Sequence, residues 1–178
     1  MNLKLVKASK EYEALIVDMV NEWRTFNNSH PEADHSPWAI FYNAKDFEDY
    51  IHRLNVIGEH YDEYEEGKVP ASTYFALDLD LNIMVGACNI RHYLNEDLRN
   101  SGGHIGDGVR PSMRNKGYGK EIVRLALEEC KKLGIKEVLM SCTTHNIASK
   151  KTIISNGGVY ERTVLDDGEE LELYWIKL

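Results

Sequence analysis

The stretch Val109-Arg110-Pro111-Ser112-Met113-Arg114-Asn115-Lys116-Gly117-Tyr118-Gly119-Lys120 decides how the chain is read. It follows a short strand-like run, 104–109, and precedes a segment with helical spacing over roughly 118–133. A strand therefore feeds a helix through a turn that carries two glycines and several cations. Gly117 and Gly119 let the backbone come close to a ligand. The first amides of a helix have no internal partner and carry partial positive charge, so a pyrophosphate bound there would satisfy them. Arg114, Lys116 and Lys120 would add charge-assisted contacts, although each alone also reads as an ordinary surface cation.

Two common phosphate motifs fail at this turn. A P-loop needs a glycine where Arg114 stands and a serine or threonine where Glu121 stands. A dinucleotide fingerprint needs a third glycine where Ile122 stands.

Working outward, 137–143 reads as a strand, and its run Val138-Leu139-Met140 suits one covered on both faces. Strand, helix and strand in that order call for a crossover, so the two strands are expected to be parallel and right-handed. A short helix over about 146–156 closes at Gly157-Gly158. The chain then ends in a hairpin, 159–165 and 171–178, around Asp166-Asp167-Gly168.

Upstream, Leu3 and Leu5 sit in a first strand, and Ser9 is placed to cap a helix with Tyr12, Leu15, Ile16, Met19, Val20 and Trp23 on one stripe. Residues 27–38 read as a loop, long enough to suggest binding. Trp38, Phe41 and Tyr42 read as packing for it rather than as an acceptor lining. A second helix is expected over about 46–65, then strands at 72–79 and 83–93 around Asp80-Leu81-Asn82, then a polar loop over 95–103.

Composition bounds the function. The 178 residues, with 43% hydrophobic and 28% charged, suit one domain spanning 1–178. A net charge of -8 leaves no basic footprint for nucleic acid and permits a cationic or amine substrate. Cys88, Cys130 and Cys142 lack framework spacing and read as free thiols, which with the absence of a signal-peptide or membrane-spanning run implies a cytoplasmic protein. Cys142 reads as a buried thiol and not a nucleophile. The histidines have no metal-ligand company, so no metal is expected.

Arg114-Asn115-Lys116-Gly117-Tyr118-Gly119 resembles the acyl-CoA signature of the GNAT acetyltransferases: Arg or Gln, two residues, Gly, one residue, then Gly or Ala. The strand leading in, the helix 125–134 leading out, and Asn146-Ile147-Ala148-Ser149 through Asn156-Gly157-Gly158 extend the likeness over roughly 103–160. The resemblance implies an α/β (α+β) fold: a central mixed, mostly antiparallel twisted sheet of about six or seven strands with one parallel βαβ unit, flanked by about four helices. It implies an N-acetyltransferase that passes acetyl from acetyl-CoA to a primary amine of a small molecule or peptide by direct attack on the thioester. A monomer or a homodimer would both serve.

By the same resemblance, Gly117 and Gly119 with the amides of Asn115, Lys116, Tyr118 and Lys120 hold the pyrophosphate, with Arg114 at the start of the loop. Val109 offers its backbone to the pantetheine arm where the fourth and fifth strands splay apart. Asn146 contacts pantetheine through its amide, and Ser149 approaches the cofactor. Many relatives carry an acidic-proton donor, a tyrosine, seven residues after that asparagine; Ile153 stands there. That departure favours an alternative, a non-catalytic acyl-CoA-binding or sensor module. The general-base candidates are His104 and Asp107, three apart and so on opposite sides of a regular strand. A strand histidine is more often satisfied by its neighbours than catalytic.

Overall fold

The computed structural model describes residues 1–30, 44–64 and 67–178. Residues 31–38 of the expected binding loop, and Trp38, Phe41 and Tyr42, lie outside them. The chain runs β1 (Leu3–Val6), α1 (Glu13–Ser29), α2 (Phe47–Tyr64), β2 (Ala71–Asp78), β3 (Ile83–Arg91), β4 (Ile105–Val109), α3 (Tyr118–Lys132), β5 (Glu137–Thr143), α4 (Ile147–Ser155), β6 (Val159–Asp166) and β7 (Glu169–Lys177). This is the expected α+β fold of seven strands and four main helices.

Several boundaries follow local chemistry. Ser9 precedes a short 3-10 turn at Lys10–Tyr12 and makes no side-chain cap, so α1 starts later than expected. It also runs further, and 27–29 are helical rather than loop. The Asp46 carboxylate takes the Asp49 amide at 2.9 Å and so caps α2. Asp167 and Gly168, at φ 47° and 86°, make the two-residue turn that reverses β6 into β7.

Helices bury the sheets from both sides. Ile16, Met19, Val20 and Trp23 of α1 and Tyr50 of α2 pack on Phe75, Met84 and Ala87. Ile122, Val123, Ala126 and Cys130 of α3 and Ile153 of α4 pack on Val138, Met140, Tyr174 and Ile176. Burial of side chains this size contributes about 1.5–3 kcal/mol each.

The strands form two sheets, β1-β2-β3-β4 and β5-β7-β6, in which all five pairings are antiparallel. The parallel ladder expected between β4 and β5 is therefore absent. Among the described residues, hydrogen bonds join β4 to β5 at one place: the His104 amide donates to the Leu139 carbonyl at 2.7 Å, and the Leu139 amide donates to His104 Nδ1 at 2.9 Å. A side chain thus takes the amide that a ladder partner would need. Gly103, at φ 66°, permits the contact, because a Cβ there would lie 2.5 Å from the Leu139 carbonyl oxygen.

Candidate functional site

Beyond His104 the edges of β4 and β5 face each other without pairing. In β4 the bonds to β3 run through Arg110 and Val85 at one end, and alternate residues share that edge. The backbone groups of Gly106 and Gly108 therefore serve β3, and those of Asp107 and Val109 point toward β5. In β5, bonds from Leu178 to Lys136 and from Thr144 to Glu170 assign the even residues to β7. Ser141 then turns its backbone toward β4. The result is a seam lined by peptide groups, closed at His104–Leu139 and open toward Val109. An extended amide chain laid in it would find the bonds a strand finds.

The open end leads to the start of α3. Its N-cap is Gly117, at φ 86°, and no side chain caps it. Asn115 is also left-handed, at φ 61°. No backbone or side-chain acceptor among the described residues takes the amides of Asn115, Lys116, Gly117, Tyr118, Gly119 or Lys120. A Cβ on Gly119 would come within 3.4 Å of both Val109 and Thr152, so the backbone there closes on β4 and α4. These open amides carry the positive end of a 15-residue helix and fit a pyrophosphate.

The cations stand differently from the expectation. Arg114 turns back, with its Nε donating to the Val109 carbonyl at 3.2 Å and its guanidinium 4.5 Å above the Phe26 ring. Lys116 donates to the Ser112 carbonyl at 2.9 Å. Lys120 is exposed on the first turn of α3. The anion cradle is thus built chiefly from peptide groups. Sequence reasoning missed its anchor: the buried Tyr118 hydroxyl donates to Asp78 at 2.8 Å, while Asp78 also accepts the amides of Asp80 and Leu81. Burial raises the Asp78 carboxyl, but these bonds outweigh it and hold it below the usual range. Nothing local in the sequence links positions 40 residues apart.

The two candidate bases part company. His104 is 6% exposed, and its Nδ1 is already an acceptor. Burial first, and Arg91 second, push its pKa down to about 4, which keeps the ring neutral. It packs edge-on against Trp175 and ties the strands together. Asp107 lies further along, opposite Cys88 in a ladder that runs without a bulge. Its half-buried carboxyl has no hydrogen-bond partner among the described residues, and desolvation raises its pKa to about 6.

Across the seam, Cys142 is buried, and desolvation raises its thiol, with the charges of Glu172 and Asp107 adding to the rise and Lys150 and the Ser149 hydroxyl opposing it. Asn146 caps α4, its side-chain oxygen accepting the Ser149 amide at 3.1 Å, while its NH2 group has no partner among the described residues. Ile153 is fully buried and seats under Gly158, so no acid can act from that position. The Tyr174 hydroxyl is committed to Glu172 at 2.5 Å, and Glu172 to Lys150 at 2.8 Å.

The acetyltransferase (GNAT) domain family matches residues 2–159. No curated protein matches the chain. Among solved structures, RimL, a ribosomal alpha-N-protein acetyltransferase in complex with coenzyme A, superposes with a TM-score of 0.67 at 14% identity, over 100% of this chain and 95% of its own. YncA from Salmonella typhimurium with its cofactor acetyl-CoA gives 0.62 at 14% identity, over 100% and 95%. A chimera of the spermidine N-acetyltransferase SpeG from Vibrio cholerae gives 0.63 at 12% identity, over 99% and 96%. At these identities the likeness is one of fold. No helix among the described residues is long and apolar enough to cross a membrane.

Proposed function

The chain belongs to the GNAT acetyltransferase family, and from that premise we propose that it transfers acetyl from acetyl-CoA to a primary amine of a small molecule or peptide. The observation that carries this reading is the seam between β4 and β5, which opens directly onto the uncapped start of α3. One end offers amides to a pyrophosphate; the other offers strand-like peptide groups to the two amides of a pantetheine arm. Of the relatives named above, RimL acts on a ribosomal protein and SpeG on spermidine, which accords with an amine acceptor.

In this reading the amides of Asn115, Lys116, Gly117, Tyr118, Gly119 and Lys120 hold the pyrophosphate, with Arg114 at the head of the loop supporting Val109. The Val109 amide and the free NH2 group of Asn146 bind along the arm. Acetyl-CoA supplies the activated acyl group. Asp107 takes the proton from the attacking ammonium or its water, since a carboxylate near pKa 6 is ionised at neutral pH yet basic enough to act. The Val109 amide faces the place where the thioester oxygen gains charge. No acid stands in for the missing tyrosine, so CoA leaves as the thiolate, which water protonates, and the Ser149 hydroxyl can offer it a hydrogen bond.

Calorimetric titration with acetyl-CoA, with ATP and NADH as controls, tests the reading. Saturable binding of acetyl-CoA alone, followed by CoA release when amines are added, is the expected result. Gly119→Glu should abolish that binding in a folded protein, because its side chain enters the space between Val109 and Thr152 and brings a negative charge. Undiminished affinity in the variant would remove the cradle assignment.

A further inference from the structure

Asp18, Glu22 and Phe26 are spaced four apart on α1 and so form one stripe. All three grip the connection between β4 and α3, about 90 residues away in sequence. Asp18 pairs with Arg110 Nη2 at 2.8 Å. Glu22 accepts three bonds: from Arg110 Nε at 2.5 Å, from the Ser112 amide at 2.8 Å and from the Ser112 hydroxyl at 3.1 Å. Phe26 lies 4.5 Å beneath the Arg114 guanidinium. The gripped residues, 110, 112 and 114, alternate along the connection.

This grip answers a constraint of the cradle. Amides that must stand open for an anion cannot be used to hold their own loop. The loop has to be fixed from its flanks by groups that leave residues 115–120 alone. Glu22 does this at the centre of the stripe. Burial raises its carboxyl, but the bonds from Ser112 and Arg110 outweigh burial and hold it below the usual range, so it is charged at neutral pH. The Arg110 side chain is 11% exposed, which shields the pair from water better than a surface pair.

We propose that Glu22 is a positioning residue for the acetyl-CoA cradle: it touches no cofactor, and it sets the cradle's geometry through Arg110 and Ser112. The inference rests on the cofactor reading above and extends it to α1. Glu22→Ala should weaken acetyl-CoA binding about tenfold, the scale of losing charge-assisted hydrogen bonds, with kcat at saturating acetyl-CoA within about twofold of the parent. Glu22→Gln keeps an oxygen for Ser112 and the fold, and should lie between the two. Glu13→Ala, which breaks only the Lys10 pair on the same helix, should leave affinity unchanged.

Backbone 15N order parameters of residues 112–119 in the unliganded protein supply the readout that needs no cofactor, and they should fall in both Glu22 variants. Lowered thermal stability with unchanged affinity and unchanged order parameters would overturn the proposal, as would an equal effect from Glu13→Ala. If the parent itself fails to bind acetyl-CoA, the cofactor reading falls, and the order parameters alone decide whether Glu22 holds the loop.

Discussion

His104, just ahead of β4, and Asp107, at its middle, are the two titratable groups that the sequence offered as bases, and the fold treats them in opposite ways. At the closed end His104 is committed: its ring nitrogen replaces a ladder acceptor for Leu139, and burial holds it neutral. Within the seam Asp107 is uncommitted: its carboxyl has no hydrogen-bond partner among the described residues, and burial raises its proton affinity toward neutrality. Three residues separate a group that fastens two sheets from one suited to proton transfer. Availability, not residue type, separates them.

The largest test of that contrast is Asp107→Asn. Removing a general base should lower kcat by about 10²-fold or more, while the affinity for acetyl-CoA stays within a few-fold. In the parent, kcat/KM should fall about tenfold per unit below pH 6 as Asp107 takes its proton, and the variant should lack that limb. A parent-like rate in Asp107→Asn would erase the functional half of the comparison.

A smaller effect is expected at the closed end, and on stability instead of rate. His104→Phe leaves the Leu139 amide buried without an acceptor, at a cost of about 1–3 kcal/mol. His104→Asn, whose side-chain oxygen can stand where Nδ1 stood, should recover part of it. Urea unfolding measures the loss, and kcat should remain within a few-fold in both variants. A hundredfold drop in the Asn variant would return His104 to the chemistry.

The smallest signal is the pH dependence of stability, in which the two groups oppose each other. The folded pKa of His104 is lowered, so the unfolded chain takes a proton first, and stability should fall as pH drops from about 6.5 to 4. The folded pKa of Asp107 is raised, so the folded chain holds its proton longer, and stability should fall as pH rises from about 4 to 6. In the parent the slopes partly cancel. Relative to the parent, urea midpoints should rise more steeply with pH across that window in Asp107→Asn and less steeply in His104→Asn; slopes shifted the same way in both variants would contradict the contrast.

Much of the cofactor end was legible because it is local. Gly117 and Gly119 must lie where a helix begins, the preceding strand must end near Val109, and Asn146 is a good cap wherever a helix starts at Ile147. The periodicity of α3, with Ile122, Val123, Ala126 and Cys130 inward, likewise needs only neighbours in the chain. Arg114 and Lys116 were read as ligands for an anion because positive charge near a glycine turn suggests it. Their partners, Phe26, Val109 and Ser112, are set by packing and by how the loop folds back.

The sequence by itself determined the order of elements, the family, and the turn that leaves a row of amides unbonded, since all of these are written in spacings of a few residues. Tertiary structure alone decided which candidate is free to act. Only when β4 comes against β5 does His104 find Leu139, does the seam open beyond it, and does Asp107 lose water without gaining a partner. The same holds for α1 and the cradle, where Glu22 and Ser112 are 90 residues apart. Proton affinity and availability depend on what surrounds a group in space, and a one-dimensional pattern carries that only for its nearest neighbours.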